Sequence, residues 1–132
     1  MAGIYLHIPF CKKACHYCDF HFSTSLKYRE RMIASLKQEL FQRREEMDEA
    51  ISTIYFGGGT PSILSVKEIE SLLDTISRHF YLEDEPEITL ECNPDDTSTE
   101  KFRDWHRSGI NRLSIGIQSF SDEDLSYLGR VH

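Results

Sequence analysis

Three cysteines near the start of the sequence have a spacing that could hold a metal centre. Cys11, Cys15 and Cys18 follow the pattern C-x3-C-x2-C, directly after a short apolar run that Pro9 ends. Three thiolates on one short loop can bind three irons of a cubane [4Fe–4S] cluster and leave the fourth iron open to a small molecule. This spacing therefore predicts a metal site with an open coordination position.

Zinc is the alternative occupant of the same loop. A structural zinc site needs four ligands, and a nearby histidine could complete it: His7, His16 or His21. Zinc-binding cysteines usually come in two pairs, and the only further cysteine is Cys92. The spacing therefore favours iron–sulfur over zinc. Cys92 lies in a separate apolar stretch and is interpreted as a small buried residue.

The composition restricts the class of protein and its partners. The chain has 132 residues, 39% of them hydrophobic and 28% charged, which is typical of one soluble globular domain covering residues 1–132. A net charge of −7 with scattered basic residues argues against nucleic-acid binding. The sequence shows no secretory signal and no membrane span, so a cytoplasmic location is expected, where thiols stay reduced.

Four strands alternate with four helices in the predicted fold. The strands are predicted at residues 4–8, 51–56, 87–92 and 112–117. Helices are predicted from the serines and threonine at 23–25, from the capping box of Ser65 and Glu68, from Thr97 with Glu100, and from Ser121. Each connection is long enough for a right-handed βαβ crossover. The fold class is therefore α/β, with a parallel sheet of four βα units.

Every unusual segment of the sequence follows a predicted strand. These segments are the cysteine loop, Gly57-Gly58-Gly59-Thr60-Pro61, Glu91-Cys92-Asn93-Pro94 and Gln118-Ser119-Phe120. Ligands of α/β proteins bind at the carboxyl ends of parallel strands, so these segments are expected to build one site.

Each of these segments also has an ordinary interpretation. The glycine run would let an amino-acid ammonium or carboxylate approach the backbone, although a tight turn explains it equally well. Glu91, at the end of an apolar strand, needs a cationic or hydroxyl partner. Arg130 on a predicted surface helix is, by position alone, an ordinary solvated charge.

Taken together, these motifs resemble the radical S-adenosylmethionine (SAM) enzymes, and within them the oxygen-independent coproporphyrinogen III oxidase family. The resemblance implies that Cys11, Cys15 and Cys18 hold a [4Fe–4S] cluster whose open iron binds the amine and carboxylate of SAM. An electron from the cluster then splits SAM into methionine and a 5′-deoxyadenosyl radical. The residues implied to line the SAM pocket are Tyr5, Tyr17, Gly58, Gly59, Thr60, Glu91, Gln118 and Arg130.

One position separates two branches of that family. The oxidases carry a fourth cysteine two positions after the third, where this sequence has Phe20. The resemblance therefore favours the haem-chaperone branch, whose members bind haem and deliver it to respiratory proteins. The coproporphyrinogen oxidase reaction is the alternative, and a non-enzymatic zinc-binding module is a second one.

The resemblance also implies partners and a larger architecture. Expected partners are SAM, haem or porphyrin, an electron donor such as flavodoxin or ferredoxin, and a haem-accepting protein, with membrane association only through a partner. Family members form a partial TIM-like barrel of six βα units followed by a C-terminal domain. The chain is therefore expected to be an N-terminal fragment of the radical SAM core domain, with its fourth strand as an exposed edge.

Overall fold

The fold is a parallel four-stranded sheet with helices in the crossovers between strands. A computed structural model describes residues 1–10 and 29–117. The strands, in the spatial order β1-β2-β3-β4, are β1 (Ala2–Ile8), β2 (Ile51–Gly58), β3 (Leu82–Cys92) and β4 (Arg112–Ile115). The helices are α1 (Arg29–Gln42), α2 (Val66–His79) and α3 (Thr99–Ser108). The predicted α/β class is confirmed. The predicted start of the first helix and the fourth helix lie outside the described residues.

The two faces of the sheet differ in chemistry because successive side chains point to opposite sides of a strand. One face carries large apolar side chains that are almost fully buried: Leu6, Ile8, Ile54, Phe56 and Leu90. They form one core with apolar residues of the helices, among them Ile69, Leu72, Ile76 and Trp105. The helices therefore cover this face.

The opposite face of the sheet is polar. The strand register places Tyr5, Tyr55, Thr89 and Arg112 side by side in one row. In the next row, toward the carboxyl ends, His7 pairs with Gly57 and Glu91 pairs with Ser114. We call these eight positions the polar face. Apolar residues alternate with them along the strands, so the sequence period of two determines which side chains reach this face.

Local capping fixes the ends of the helices. The predicted capping box of α2 is present: the Glu68 amide donates to the Ser65 hydroxyl and the Ser65 amide donates to the Glu68 carboxylate. The cap predicted at Thr97 is wrong by one residue. Ser98 caps α3 by accepting from the Lys101 amide, whereas the Thr97 hydroxyl donates to a backbone carbonyl of the preceding turn.

Four strand boundaries also differ from prediction. β1 begins at Ala2, β2 ends at Gly58 and β4 ends at Ile115. The charged segment before Pro86 lies outside the predicted strand 87–92 but belongs to β3. Its pairing with β2 runs from Ile51–Leu82 to Thr53–Glu87 across a register shift. Proline has no N–H to donate, and this irregularity is where a strand tolerates it. None of the helices within residues 29–117 is long and apolar enough to cross a membrane.

Candidate functional site

The carboxylate of Glu91 contacts the glycine run where β2 and β3 end. The Gly58 amide donates to Glu91 Oε1 at 3.1 Å. Gly58 has a φ of +114°, and a Cβ at this position would lie 2.7 Å from the Ile8 carbonyl oxygen. Only glycine fits this conformation without strain, so the sequence requirement at position 58 comes from the backbone itself.

The next two amides of the glycine run bind the backbone that leads into the cysteine loop. Gly59 N–H donates to the Ile8 carbonyl at 2.7 Å, and Thr60 N–H donates to the Phe10 carbonyl at 2.6 Å. Phe10 immediately precedes Cys11. The glycine run is therefore bonded to the last described residues before the cysteine loop.

Because of these bonds, fewer backbone amides of the glycine run are left to donate to a ligand. The amides of Gly58, Gly59 and Thr60 all donate to protein acceptors. In this arrangement they do not provide donors for a ligand carboxylate, one of the two groups expected from the sequence. An ammonium, which needs acceptors, is better matched by the carboxylate of Glu91 beside the run.

Besides the bond between Gly58 and Glu91, two side-chain contacts link the loops that follow β2 and β3. Ser62 Oγ donates to Asp96 Oδ2 at 2.8 Å, and both residues are 2% exposed. Asn93 Nδ2 lies 3.4 Å from Thr60 Oγ1. Sequence reasoning missed Ser62 and Asp96, because nothing in Asp95-Asp96 indicates which acid is buried.

Two tyrosines and a glycine complete the polar face around Glu91. The rings of Tyr5 and Tyr55 are stacked, with centroids 5.9 Å apart and an interplanar angle of 22°. A Cβ on Gly57 would lie 2.5 Å from Glu91 Oε1, 2.7 Å from Tyr5 Cε2 and 2.8 Å from Tyr55 Cε1. The missing side chain of Gly57 thus makes the space in which the three other side chains converge. Sequence reasoning did not select Tyr55, although its alternation with Gly57 along β2 was a usable signal.

The surroundings of Glu91 have opposing effects on the pKa of its carboxyl group. Burial raises the pKa of the Glu91 carboxyl above its ordinary value, and the Gly58 amide, the Tyr55 side chain and the charge of His7 offset only part of that rise. Burial, the Glu91 charge and Tyr55 all raise the pKa of Tyr5, whose hydroxyl lies 3.2 Å from His7 Nδ1. The result is a half-buried carboxylate on the polar face of the sheet, suited to a cationic or hydroxyl group.

The structure thus brings together five of the residues predicted to bind SAM: Tyr5, Gly58, Gly59, Thr60 and Glu91. The other predicted site residues lie outside the described residues: Cys11, Cys15, Tyr17, Cys18, Gln118 and Arg130. Phe20 lies outside them as well. Predictions about these residues stay predictions. Cys92 is 4% exposed, which confirms its interpretation as a buried residue.

Parallel βα units with a polar site at the strand carboxyl ends define an α/β protein that places its chemistry in strand-end loops. The chain belongs to the Radical SAM superfamily, whose profile matches residues 5–132. It is 41% identical over 139 residues to the heme chaperone HemW of Escherichia coli strain K12, covering 98% of this chain and 35% of that protein. It is 42% identical over 136 residues to the heme chaperone HemW of Bacillus subtilis strain 168, and this match covers 100% of this chain and 36% of that protein.

A solved structure agrees with this assignment. Coproporphyrinogen III oxidase (HemN) from Escherichia coli, a radical SAM enzyme, matches 99% of this chain with a TM-score of 0.90 and 28% sequence identity. The match covers 31% of that protein. The chain therefore spans about a third of the length of the relatives and the solved structure that it matches.

Proposed function

We propose that the protein binds a [4Fe–4S] cluster through Cys11, Cys15 and Cys18 and binds SAM beside it. The observation that carries this proposal is the bonding of the glycine run, which contacts Glu91 on one side and Phe10 on the other. Glu91 and Phe10, the residue before the first cysteine, are therefore bonded to the same short segment, Gly58-Gly59-Thr60. A ligand that bridges the cysteine loop and the ends of β2 and β3 fits this arrangement.

The side chains of this chain suit both the iron–sulfur cluster and SAM. Thiolates are the preferred ligands of iron–sulfur clusters, and three of them leave one iron open. When bound, such a cluster supplies the electron for reductive cleavage of SAM. Glu91 accepts from an amine or hydroxyl of the ligand, and Gly57 leaves room for the Glu91 carboxylate beside the rings of Tyr5 and Tyr55. Tyr17, Gln118 and Arg130 are proposed to complete the SAM pocket.

We further propose that the whole protein is a haem chaperone. The HemW relatives at 41% and 42% identity support this function more closely than the oxidase structure at 28%. Phe20, at the position of the fourth cysteine of the oxidases, supports the same branch. The proposed partners are haem, an electron donor such as flavodoxin or ferredoxin, and a haem-accepting protein, in a reducing compartment such as the cytoplasm.

Anaerobic reconstitution tests the cluster. Adding iron and sulfide should give a brown protein with charge-transfer absorption at about 400 nm, and adding SAM should change the electron paramagnetic resonance spectrum of the reduced cluster. The zinc-binding alternative predicts a colourless protein with about one zinc per chain that does not respond to SAM. A colourless, zinc-loaded product would contradict the proposal.

A second experiment separates the two branches of the family. The full-length protein should bind haem stoichiometrically and should leave coproporphyrinogen III unchanged in an anaerobic assay with SAM and a reductant. Glu91→Gln is the matched variant, because it should weaken SAM binding and leave haem binding intact. Formation of the decarboxylated, divinyl product would assign the protein to the oxidase branch instead.

A further inference from the structure

We propose that Tyr55 is a positioning residue for Glu91: its side chain shares the space beside Gly57 with the carboxylate and orients that carboxylate on the polar face. This inference rests on the proposed SAM site, because it assigns Glu91 a ligand. Tyr55 belongs to none of the motifs by which the sequence indicates that site. Its assignment comes only from the packing around Gly57.

The geometry around Gly57 explains why Tyr55 can reach the carboxylate. Tyr55 lies in the row that precedes Glu91 on the polar face, one strand away. A Cβ at position 57 would collide with Glu91 Oε1, Tyr5 Cε2 and Tyr55 Cε1, all within 2.8 Å. The glycine thus lets the tyrosine ring and the carboxylate share one small volume. The stacked ring of Tyr5, at 5.9 Å, covers the other side of Tyr55 and limits its rotation.

The roles of the two hydrogen-bonding partners of Glu91 are complementary. The Gly58 amide binds Oε1 from the backbone and thereby fixes one oxygen. The Tyr55 side chain reaches the same carboxylate from the polar face: its Cε1 and Glu91 Oε1 both lie within 2.8 Å of the point that a Cβ on Gly57 would occupy, and Tyr55 lowers the pKa of Glu91. A carboxylate can accept about four hydrogen bonds, so two donors orient it and leave acceptor sites for a ligand.

Other titratable groups lie near Glu91 and must stay unchanged in a test of Tyr55. β1 contributes Tyr5 and His7, which pack against Tyr55 and Gly57. Cys92 and Asp96 follow Glu91 in the chain, and burial keeps the Cys92 thiol neutral by raising its pKa to about 11. On β4 the register partner of Glu91 is the uncharged Ser114, while Arg112 lies 3.6 Å from Glu87. Tyr55→Phe removes only the hydroxyl and leaves these groups in place.

The first arm of the test measures Glu91 directly in the protein without SAM. Glutamate labelled with ¹³C at the carboxyl carbon is titrated by NMR, and Glu91→Gln identifies the signal. Tyr55→Phe should raise the pKa of Glu91, because a donor that stabilises the ionised form is lost. Tyr81→Phe is the matched control, since Tyr81 is 82% exposed, and it should leave the titration unchanged. An unchanged Glu91 titration in Tyr55→Phe would overturn the proposal.

The second arm measures SAM binding to the cluster-reconstituted protein across pH. Tyr55→Phe should weaken binding by about tenfold at mildly acidic pH and shift the whole affinity profile to higher pH. In a Glu91→Gln background the same substitution should have no further effect, because the carboxylate on which it acts is absent. Additive losses in the double variant would overturn the positioning role. If the wild-type protein does not bind SAM at all, the proposed function fails, while the titration result for Tyr55 stands by itself.

Discussion

The amide of Thr60 donates a hydrogen bond of 2.6 Å to the carbonyl of Phe10, which joins the end of the glycine run to the residue before the first cysteine. The bond places the glycine run next to Phe10, although the two lie about fifty residues apart in the sequence. β1 and β2 are neighbouring parallel strands, so the loops that follow them leave the same edge of the sheet.

Replacing a proposed ligand should abolish cluster assembly. Cys15→Ala should lose the iron, the sulfide and the absorption at about 400 nm after reconstitution, because two thiolates hold a cubane cluster poorly. Cys92→Ala is the matched control: Cys92 is buried in the core, so its loss should cost only about 1 kcal/mol of stability and leave iron and sulfide content unchanged. Equal iron content in Cys15→Ala and the wild-type protein would contradict the ligand assignment.

Gly58 and Gly109 have nearly the same φ but different neighbours. Alanine substitutions at the two positions therefore separate the cost of an unfavourable φ from the cost of a steric clash of the new Cβ. Gly58 has a φ of +114° and Gly109 a φ of +116°. Alanine at either position should cost about 1 kcal/mol or more for the unfavourable φ. At position 58 the new Cβ would also lie 2.7 Å from the Ile8 carbonyl, whereas at position 109 its nearest neighbour is Leu73 Cδ1 at 3.6 Å.

Gly58→Ala should therefore destabilise the protein more than Gly109→Ala, and it alone should weaken SAM binding. Urea unfolding measures the first effect, and SAM titration of the reconstituted protein measures the second. Equal losses of stability in the two variants, with SAM affinity retained in both, would mean that the Gly58 conformation has no bearing on the site.

Much of this site can be predicted from the sequence, because strand ends are marked by local residues. Pro9, the glycine run and Asn93-Pro94 each stop a strand, and parallel topology then places those ends at one edge of the sheet. The sequence does not single out Tyr55 or Asp96, although Tyr55 alternates with Gly57 along β2. Their roles depend on register and on burial, which are properties of the packed sheet rather than of neighbouring residues. The Ser98 cap was missed for a related reason: the Thr97 hydroxyl is already engaged by the Pro94 carbonyl.

The buried bond between Ser62 and Asp96 should contribute measurably to stability. Ser62→Ala removes the hydroxyl that donates to Asp96 Oδ2 at 2.8 Å, and the carboxylate stays buried. Losing a donor to a buried charged acceptor costs about 1–3 kcal/mol. Ser77→Ala is the control, since its exposed hydroxyl donates only to the Asp74 carbonyl, and its effect should stay within about 0.5 kcal/mol. Similar urea midpoints for the two variants would show that the Ser62–Asp96 bond does not hold the loops together.

The buried thiol of Cys92 should make the stability of the protein fall at alkaline pH. Burial, with the charges of Asp96 and Glu91, raises the pKa of this thiol from 9.0 to about 11. The folded protein then keeps its thiol proton at a pH at which the unfolded chain has lost it. The thiol therefore contributes its full stabilisation to the free energy of unfolding below about pH 9. This contribution decreases as the pH rises toward 11.

The loss from Cys92 should amount to roughly 1–2 kcal/mol between pH 8 and pH 11. Cys92→Ala removes the thiol while every other titrating group stays, so the difference in unfolding free energy between wild type and variant isolates its contribution. Urea denaturation at constant ionic strength should show the wild-type protein losing more stability than Cys92→Ala over this interval. Parallel stability curves would mean that the thiol ionises as readily in the folded protein as in the unfolded chain, and that its burial does not exclude water.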